Sequence, residues 1–196
     1  MKRISIVLLL LVVAAVCSLA DGDRGKEPPE YRVKVVLLEK FADFVDWPSN
    51  SSVNNTSTPF CICVIGENPF FVMKKGKKTS EDWLNVLYNK RKIREKKVKI
   101  RFISDVKDIP GCNLLFISKS EKKNLSEIIS IANKNQVLTV GDTPGFAKKR
   151  VHINFYVEKG AMKFEVNETA IRGSGFRVSY HMLKLAKIVN PWDERK

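Results

Sequence analysis

The side chains best suited to chemistry in this 196-residue chain are few: four cysteines and two histidines. Cys61 and Cys63 stand two apart in the apolar run Phe60–Ile65, so in a strand both leave the same face. With no histidine or further cysteine beside them, they fall short of the four ligands a zinc site takes. No metal or other cofactor is expected. Once Cys17 has left with the N-terminal segment, an oxidising compartment favours one disulfide and one leftover thiol among Cys61, Cys63 and Cys112. Cys63 and Cys112 belong to two strands expected to be neighbours in a doubly wound sheet. Cys61 shares the face of Cys63, so a Cys61–Cys112 bridge stays open on this reading.

His152 is expected in a strand and His181 on the last helix, neither within a nucleophile–base motif. Gly173-Ser174-Gly175 lacks the Gly-x-Ser-x-Gly spacing and reads as a helix break. No glycine-rich phosphate loop follows any strand, so a catalytic role has no support in the motifs. The ends of the parallel strands carry polar sets: Gly66-Glu67-Asn68, Ser118-Lys119-Ser120 and Gly141-Asp142-Thr143. In a doubly wound sheet, ligands bind beyond those ends. Gly66, Glu67, Asn68, Ser118, Ser120, Gly141, Asp142 and Thr143 are therefore a candidate crevice, although turns and helix caps require the same residue types.

Two charged features remain. Lys34 falls within the apolar arc of the first helix. Its amine must either snorkel off the first turn or pair with a buried carboxylate, and Asp142, ending a central strand, is the most attractive partner. Residues 90–101 hold Lys90, Arg91, Lys92, Arg94, Lys96, Lys97, Lys99 and Arg101 against Glu95 alone. A solvated face is the plain reading, and a surface for acidic protein or lipid the sharper one. No aromatic residue interleaves this run after Tyr88, which argues against a stacking platform for single-stranded nucleic acid.

The elements that must position these groups alternate. Residues 31–47 read as a helix stopped by Pro48, with Arg32, Glu39, Asp43 and Asp46 on its polar side. Phe60–Ile65 is an apolar strand, followed by a helix with Thr79-Ser80 at its N-cap. Residues 97–102 alternate as a strand with one wet face, and 112–117 form a strand covered on both faces. Ser120 caps a helix through Asn133, and 137–140 form the next strand. Residues 151–157 and Ala161–Val166 flank a tight turn at Lys159-Gly160, Asn167 caps a short helix, and 177–189 form a closing helix before Pro191. The result is an α/β fold: a mostly parallel sheet flanked by helices on both faces, with a C-terminal antiparallel hairpin at the edge.

Residues 1–20 have the parts of a secretory signal: Lys2 and Arg3, an apolar stretch through Val16, and Ser18-Leu19-Ala20 ahead of a cut after Ala20. The bulky Val16 before Cys17 argues against lipidation. Residues 21–29 are a linker, 30–192 a single domain and 193–196 a tail. The formal charge of +14 would suggest nucleic acid in the cytoplasm, but export leaves anionic lipid headgroups and other envelope polymers as the acidic surfaces to be met.

Taken in order, the segments resemble the YfiR/HmsC-like family. The resemblance rests on Tyr31-Arg32-Val33-Lys34, Phe41-Ala42-Asp43-Phe44 and Trp47-Pro48, on Cys63-Val64-Ile65-Gly66 and on Cys112-Asn113-Leu114-Leu115. It continues through Leu138-Thr139-Val140-Gly141-Asp142, Gly145-Phe146, Ile153-Asn154-Phe155 and Phe164-Glu165-Val166-Asn167 to Leu183-Lys184-Leu185-Ala186. Where the family has a glycine pair before Ile-Asn-Phe, this chain has Lys149-Arg150-Val151-His152. The resemblance implies a periplasmic, non-enzymatic repressor that binds the periplasmic domain of a membrane diguanylate cyclase. Sequestration by an outer-membrane lipoprotein would relieve it, so cyclic di-GMP signalling and biofilm formation are controlled from outside the membrane. A homodimer is compatible with that role. The resemblance also points to Cys63–Cys112 as the bridged pair.

Overall fold

The computed structural model describes residues 29–74 and 77–189. The signal segment 1–20 and its cleavage point, linker residues 21–28, Pro191 and the tail 193–196 lie outside the described residues.

The first helix, α1 (Pro29–Phe44), buries Val35, Leu38, Phe41 and Ala42, a spacing of three and four that keeps one stripe against the sheet. It ends three residues before Trp47 because Val45–Asp46 (β1) leaves the helix to pair antiparallel with Arg177–Val178 (β11). Arg94 donates to the carbonyls of Ala42 and Val45, serving acceptors the helix end leaves open.

The chain then lays down β2 (Phe60–Ile65), the hairpin β3 (Phe71–Lys74) and β4 (Lys77–Asp82), α2 (Trp83–Tyr88), β5 (Lys92–Ile93) and β6 (Lys96–Ile103). Next come β7 (Leu114–Ile117), α3 (Leu125–Lys134), β8 (Leu138–Gly141), β9 (Ile153–Glu158) and β10 (Ala161–Val166). α4 (Glu168–Gly173), β11, α5 (Tyr180–Leu185) and β12 (Lys187–Ile188) close it. Eight strands form one sheet in the order β12-β10-β9-β8-β7-β2-β6-β5. β6, β2, β7, β8 and β9 run parallel, β10 returns antiparallel from β9, and β12 lies parallel to β10 outside it.

The sheet has an apolar core on each face. One joins α1, α2, α4 and α5 to Phe60, Ile62, Val64, Phe116, Val140 and Phe155. There Trp47 meets Phe60 and Phe176 edge-on, and Phe41 stacks on Phe155. The other sets α3 against Cys63, Ile65, Leu115 and Ile117. Strands buried on both faces explain the unbroken apolar runs at β2 and β7.

Several local expectations are corrected. Thr79 and Ser80 belong to β4, and the helix that follows is capped by Asp82, whose carboxylate accepts from Asn85 N–H. Ser120 caps no helix: residues Lys119–Lys122 form a 3₁₀ turn and α3 begins after Asn124. Residues 177–189 are not one helix. Ser179 caps a helix of six residues, Ala186 is extended, and Val178 and Ile188 are drawn into ladders with β1 and β10. Among the described residues, no helix is long and apolar enough to cross a membrane.

Candidate functional site

The chain leaves β2 for β6 on one side and reaches β7 on the other, so the parallel strands open a switch point beyond β2 and β7. A cleft of about 590 Å³ lies there, lined by Glu67 and Asn68 after β2, Ser118, Lys119 and Ser120 after β7, and Asp142 after β8. Tyr31 from α1 and Phe71 and Lys78 from the β3–β4 hairpin complete the wall. Sequence reasoning missed these three: the hairpin was not legible as such, and Tyr31 comes to the cleft only when α1 packs on the sheet.

Of the eight crevice residues expected, Gly66, Gly141 and Thr143 do not line the cleft. Gly66 has φ +88°, and a Cβ there would stand 2.3 Å from Ser120 Oγ, so glycine is required for the loops to meet. A Cβ on Gly141 would press within 2.9 Å of the Phe146 ring, so that glycine serves packing. Thr143 is buried. The serine hydroxyls hold the opposing loop: Ser118 Oγ donates to Glu67 O at 2.6 Å, and Ser120 Oγ accepts from Glu67 N–H at 3.0 Å. Asn68 accepts from Phe70 N–H. What faces the cleft is thus a mixed-charge rim of Glu67, Asp142, Lys78 and Lys119 beside aromatic rings.

Beneath Asp142 lies the most enclosed charge among the described residues. Lys34 is 2% exposed, with Nζ 2.7 Å from Asp142 Oδ2, 2.6 Å from Glu30 Oε1 and 4.2 Å from the Tyr31 ring centre. Burial pulls its pKa down, but the charge and hydrogen bond of Asp142 and the hydrogen bond of Glu30 outweigh that and leave it raised. The ion pair fixes the start of α1 to the end of β8. Glu30, one helical turn before Lys34, was the partner that i,i+4 spacing would have revealed.

Cys63 and Cys112 are joined, with Cα atoms 5.9 Å apart. Cys112 is not in the strand, contrary to the expectation of a strand over 112–117. It sits in the turn leading into β7, where Gly111 takes φ +85°, while Asn113 occupies the place opposite Cys61 and exchanges hydrogen bonds with its backbone. Cys61 stays a buried thiol whose Sγ is 3.8 Å from Cys63 Sγ. Burial pushes that thiol's pKa up, against the pull of Arg101 and Lys99.

The two histidines do not share a site. His181 is exposed on α5, whereas His152 is fully buried. His152 Nδ1 accepts from Thr139 N–H, so Nε2 carries the proton toward Ser174 Oγ, which in turn donates to Ala170 O. Burial, with the charge of Arg150, lowers its pKa to about 3. This neutral ring ties β8, β9 and α4 together. Arg150, in the segment before β9, adopts φ +76°. Among the described residues, no group of three or more metal-ligating side chains comes together.

The basic run also divides. Lys96 is buried and donates to Val53 O, Arg94 caps α1, and Arg91 pairs with Glu39 at 3.1 Å. Only Lys96 thereby leaves the exposed set; Arg91 and Arg94 stay at the surface with their charges engaged. An apolar groove of about 390 Å³ lies between α1, the β9–β10 hairpin and α5, lined by Leu37, Phe41, Phe44, Met162, Phe164 and Leu185. Tyr180, Leu185 and Ile188 on the same C-terminal elements are exposed. No sequence signal marked this groove, because its walls come from segments more than 100 residues apart.

Fold and site together define a disulfide-bridged α/β sandwich with a polar cleft at its switch point and an apolar groove along one flank. The YfiR/HmsC-like family profile matches residues 31–187, and the chain belongs to that family. A conserved domain protein from Vibrio cholerae O1 biovar El Tor shares the fold at TM-score 0.50 and 11% identity, over 81% of this chain. The alignment spans 59% of that protein's chain. An ABC domain from Streptococcus pneumonia, solved in complex with L-Trp, aligns at TM-score 0.47 and 8% identity, over 81% of this chain and 62% of its own. Comparison with curated proteins gives no match.

Proposed function

We propose that this chain is an exported, periplasmic, non-enzymatic regulator that binds the periplasmic domain of an inner-membrane diguanylate cyclase and represses it. Cyclic di-GMP output and biofilm formation then fall, and capture of the regulator by an outer-membrane lipoprotein restores them. Family membership over residues 31–187 supports the reading. The observation that carries it is the apolar groove beside α1, whose exposed aliphatic and aromatic rim suits burial by another protein rather than contact with water. His152, a buried imidazole, is engaged in holding strands together.

The test is calorimetric titration of the mature chain with the isolated periplasmic domain of a membrane cyclase. Binding without turnover is expected, and Leu185→Glu, at an exposed position, weakens it at least about tenfold, in line with an interface anchor. Capture of no envelope protein at all in a crosslinking pull-down would refute the proposal.

A second reading, a small-ligand sensor, is favoured only by the 590 Å³ cleft. A thermal-shift screen with amino acids and nucleotides that yields no stabilisation removes it.

A further inference from the structure

On the side of the sheet covered by α3, a groove of about 610 Å³ is bounded by Lys122, Lys123, Lys149 and Arg150, with Ser126 and Ser130 along its helical wall. All four cations are exposed, and among the described residues none of their charged groups has a carboxylate within 4.0 Å or a hydrogen-bond partner. Elsewhere among the described residues Lys34, Lys40, Arg91, Lys163, Arg172 and Lys187 are paired, while exposed cations such as Lys90 and Lys159 stand singly, so density sets this cluster apart. Strand register carries the same sign further. Cys61 lies beside Lys99 and Cys63 beside Arg101, so Lys97, Lys99 and Arg101 emerge on the α3 side, while Val98 and Ile100 pack into the opposite core. Acids on this side are few: Asp105 accepts from Lys107 N–H, Asp108 stands 4.0 Å from Arg101, Glu121 is engaged by Asn124, and Glu127 remains.

The exposed large apolar side chains are distributed oppositely. Val86, Phe102, Val157, Tyr180, Leu185 and Ile188 sit on elements or strand faces that belong to the α1 side. A protein interface is anchored by such residues. The α3 side has none among the described residues, and it presents flexible lysines, which act as hydrated point charges. That combination suits a plane of phosphates rather than a shaped protein partner.

We infer that the α3 face is a docking surface for anionic phospholipid headgroups, held by the Lys122, Lys123, Lys149 and Arg150 cluster and extended by Lys97 and Lys99. The protein rests on a bilayer by charge alone, without insertion, and turns its apolar groove away from the lipid. Nothing in this depends on which protein fills that groove.

The experiment is co-sedimentation of the full mature chain with phosphatidylcholine vesicles containing about 30% phosphatidylglycerol, a composition in the range where each basic residue near the surface contributes measurably. Binding is expected there and not on pure phosphatidylcholine, with a fall of at least about tenfold between low and high salt as screening sets in. The variant K122Q/K123Q/K149Q/R150Q loses more than about tenfold in vesicle binding while its thermal midpoint is unchanged. The variant K77Q/K90Q/K159Q/K184Q removes the same charge elsewhere and keeps most of the binding. Equal binding to neutral vesicles, or equal losses in the two variants, overturns the inference. So does binding of soluble polyglutamate with no binding of anionic vesicles, which would assign the face to an acidic protein.

Discussion

An ammonium on the apolar side of a helix persists only where anions replace its water, and Lys34 has two. Replacing it with Met leaves Asp142 partly buried and unpaired. Lys34→Met should therefore lower the unfolding free energy by about 2–3 kcal/mol in urea titration. Pairing it with Asp142→Asn in a double-mutant cycle should return a coupling above about 1 kcal/mol. An unchanged midpoint would mean the amine is solvated. His152 gives a second measurement at this scale. Its ordinary value is 6.5 and its folded value about 3, so between those limits the unfolded chain binds a proton that the native chain does not. Stability thus rises with pH across that window and is lost as pH falls through it, at about 1.4 kcal/mol per pH unit. Denaturation at pH 4, 5 and 7 should show this slope, and His152→Gln should remove this residue's share of it. Lys34 stands out in the sequence because it interrupts an apolar arc. The role of His152 does not, since Thr139 and Ser174 reach it only after three elements have packed.

At the scale of elements, what was legible followed from local rules, and what was not depended on distant partners. The apolar runs of β2 and β7, the Asn167 cap and the Lys159-Gly160 turn declare themselves through composition and backbone preference. Residues 177–189 have helical periodicity, yet ladders with β1 and β10 take both ends from the helix. The cleft was half legible for the same reason: strand ends can be read, but the turns that use up their hydroxyls cannot. The disulfide belongs to this scale, since it ties β2 to the approach of β7 across a sequence separation of 49. Non-reducing peptide mapping should join Cys63 to Cys112 and find Cys61 alkylated only after denaturation, as its burial requires. Reduction should lower stability by up to about 4 kcal/mol on the loop-entropy account. Ready alkylation of Cys63 in the native, unreduced protein would contradict the assignment.

Across the whole molecule, composition declares the charge of +14 but not its geography. Lys122-Lys123 and Lys149-Arg150 are remote in sequence and meet only because α3 crosses the sheet beside the β8–β9 connection. In the densely basic segment 90–101, Lys96 turns inward to Val53 O, and Arg91 and Arg94 are engaged by Glu39 and by the carbonyls at the end of α1. The short outermost strands have a further consequence, one for colloidal behaviour. β5 covers only Lys96 and Lys97 of β6, so among the described residues no strand pairs with the outer side of 98–103; at the far edge, β12 likewise covers only Glu165 and Val166 of β10. Each uncovered stretch is a row of backbone donors and acceptors that a second chain could extend into a continuous ladder, and each contains cations: Lys99 and Arg101 on one, Lys163 on the other. Those charges act as gatekeepers against self-templated stacking. A Lys99→Thr, Arg101→Thr double variant should therefore scatter light sooner than the parent during prolonged incubation at high concentration, even though its monomer melts at a similar temperature. The basic character of the protein would then be a solubility device as well as an address.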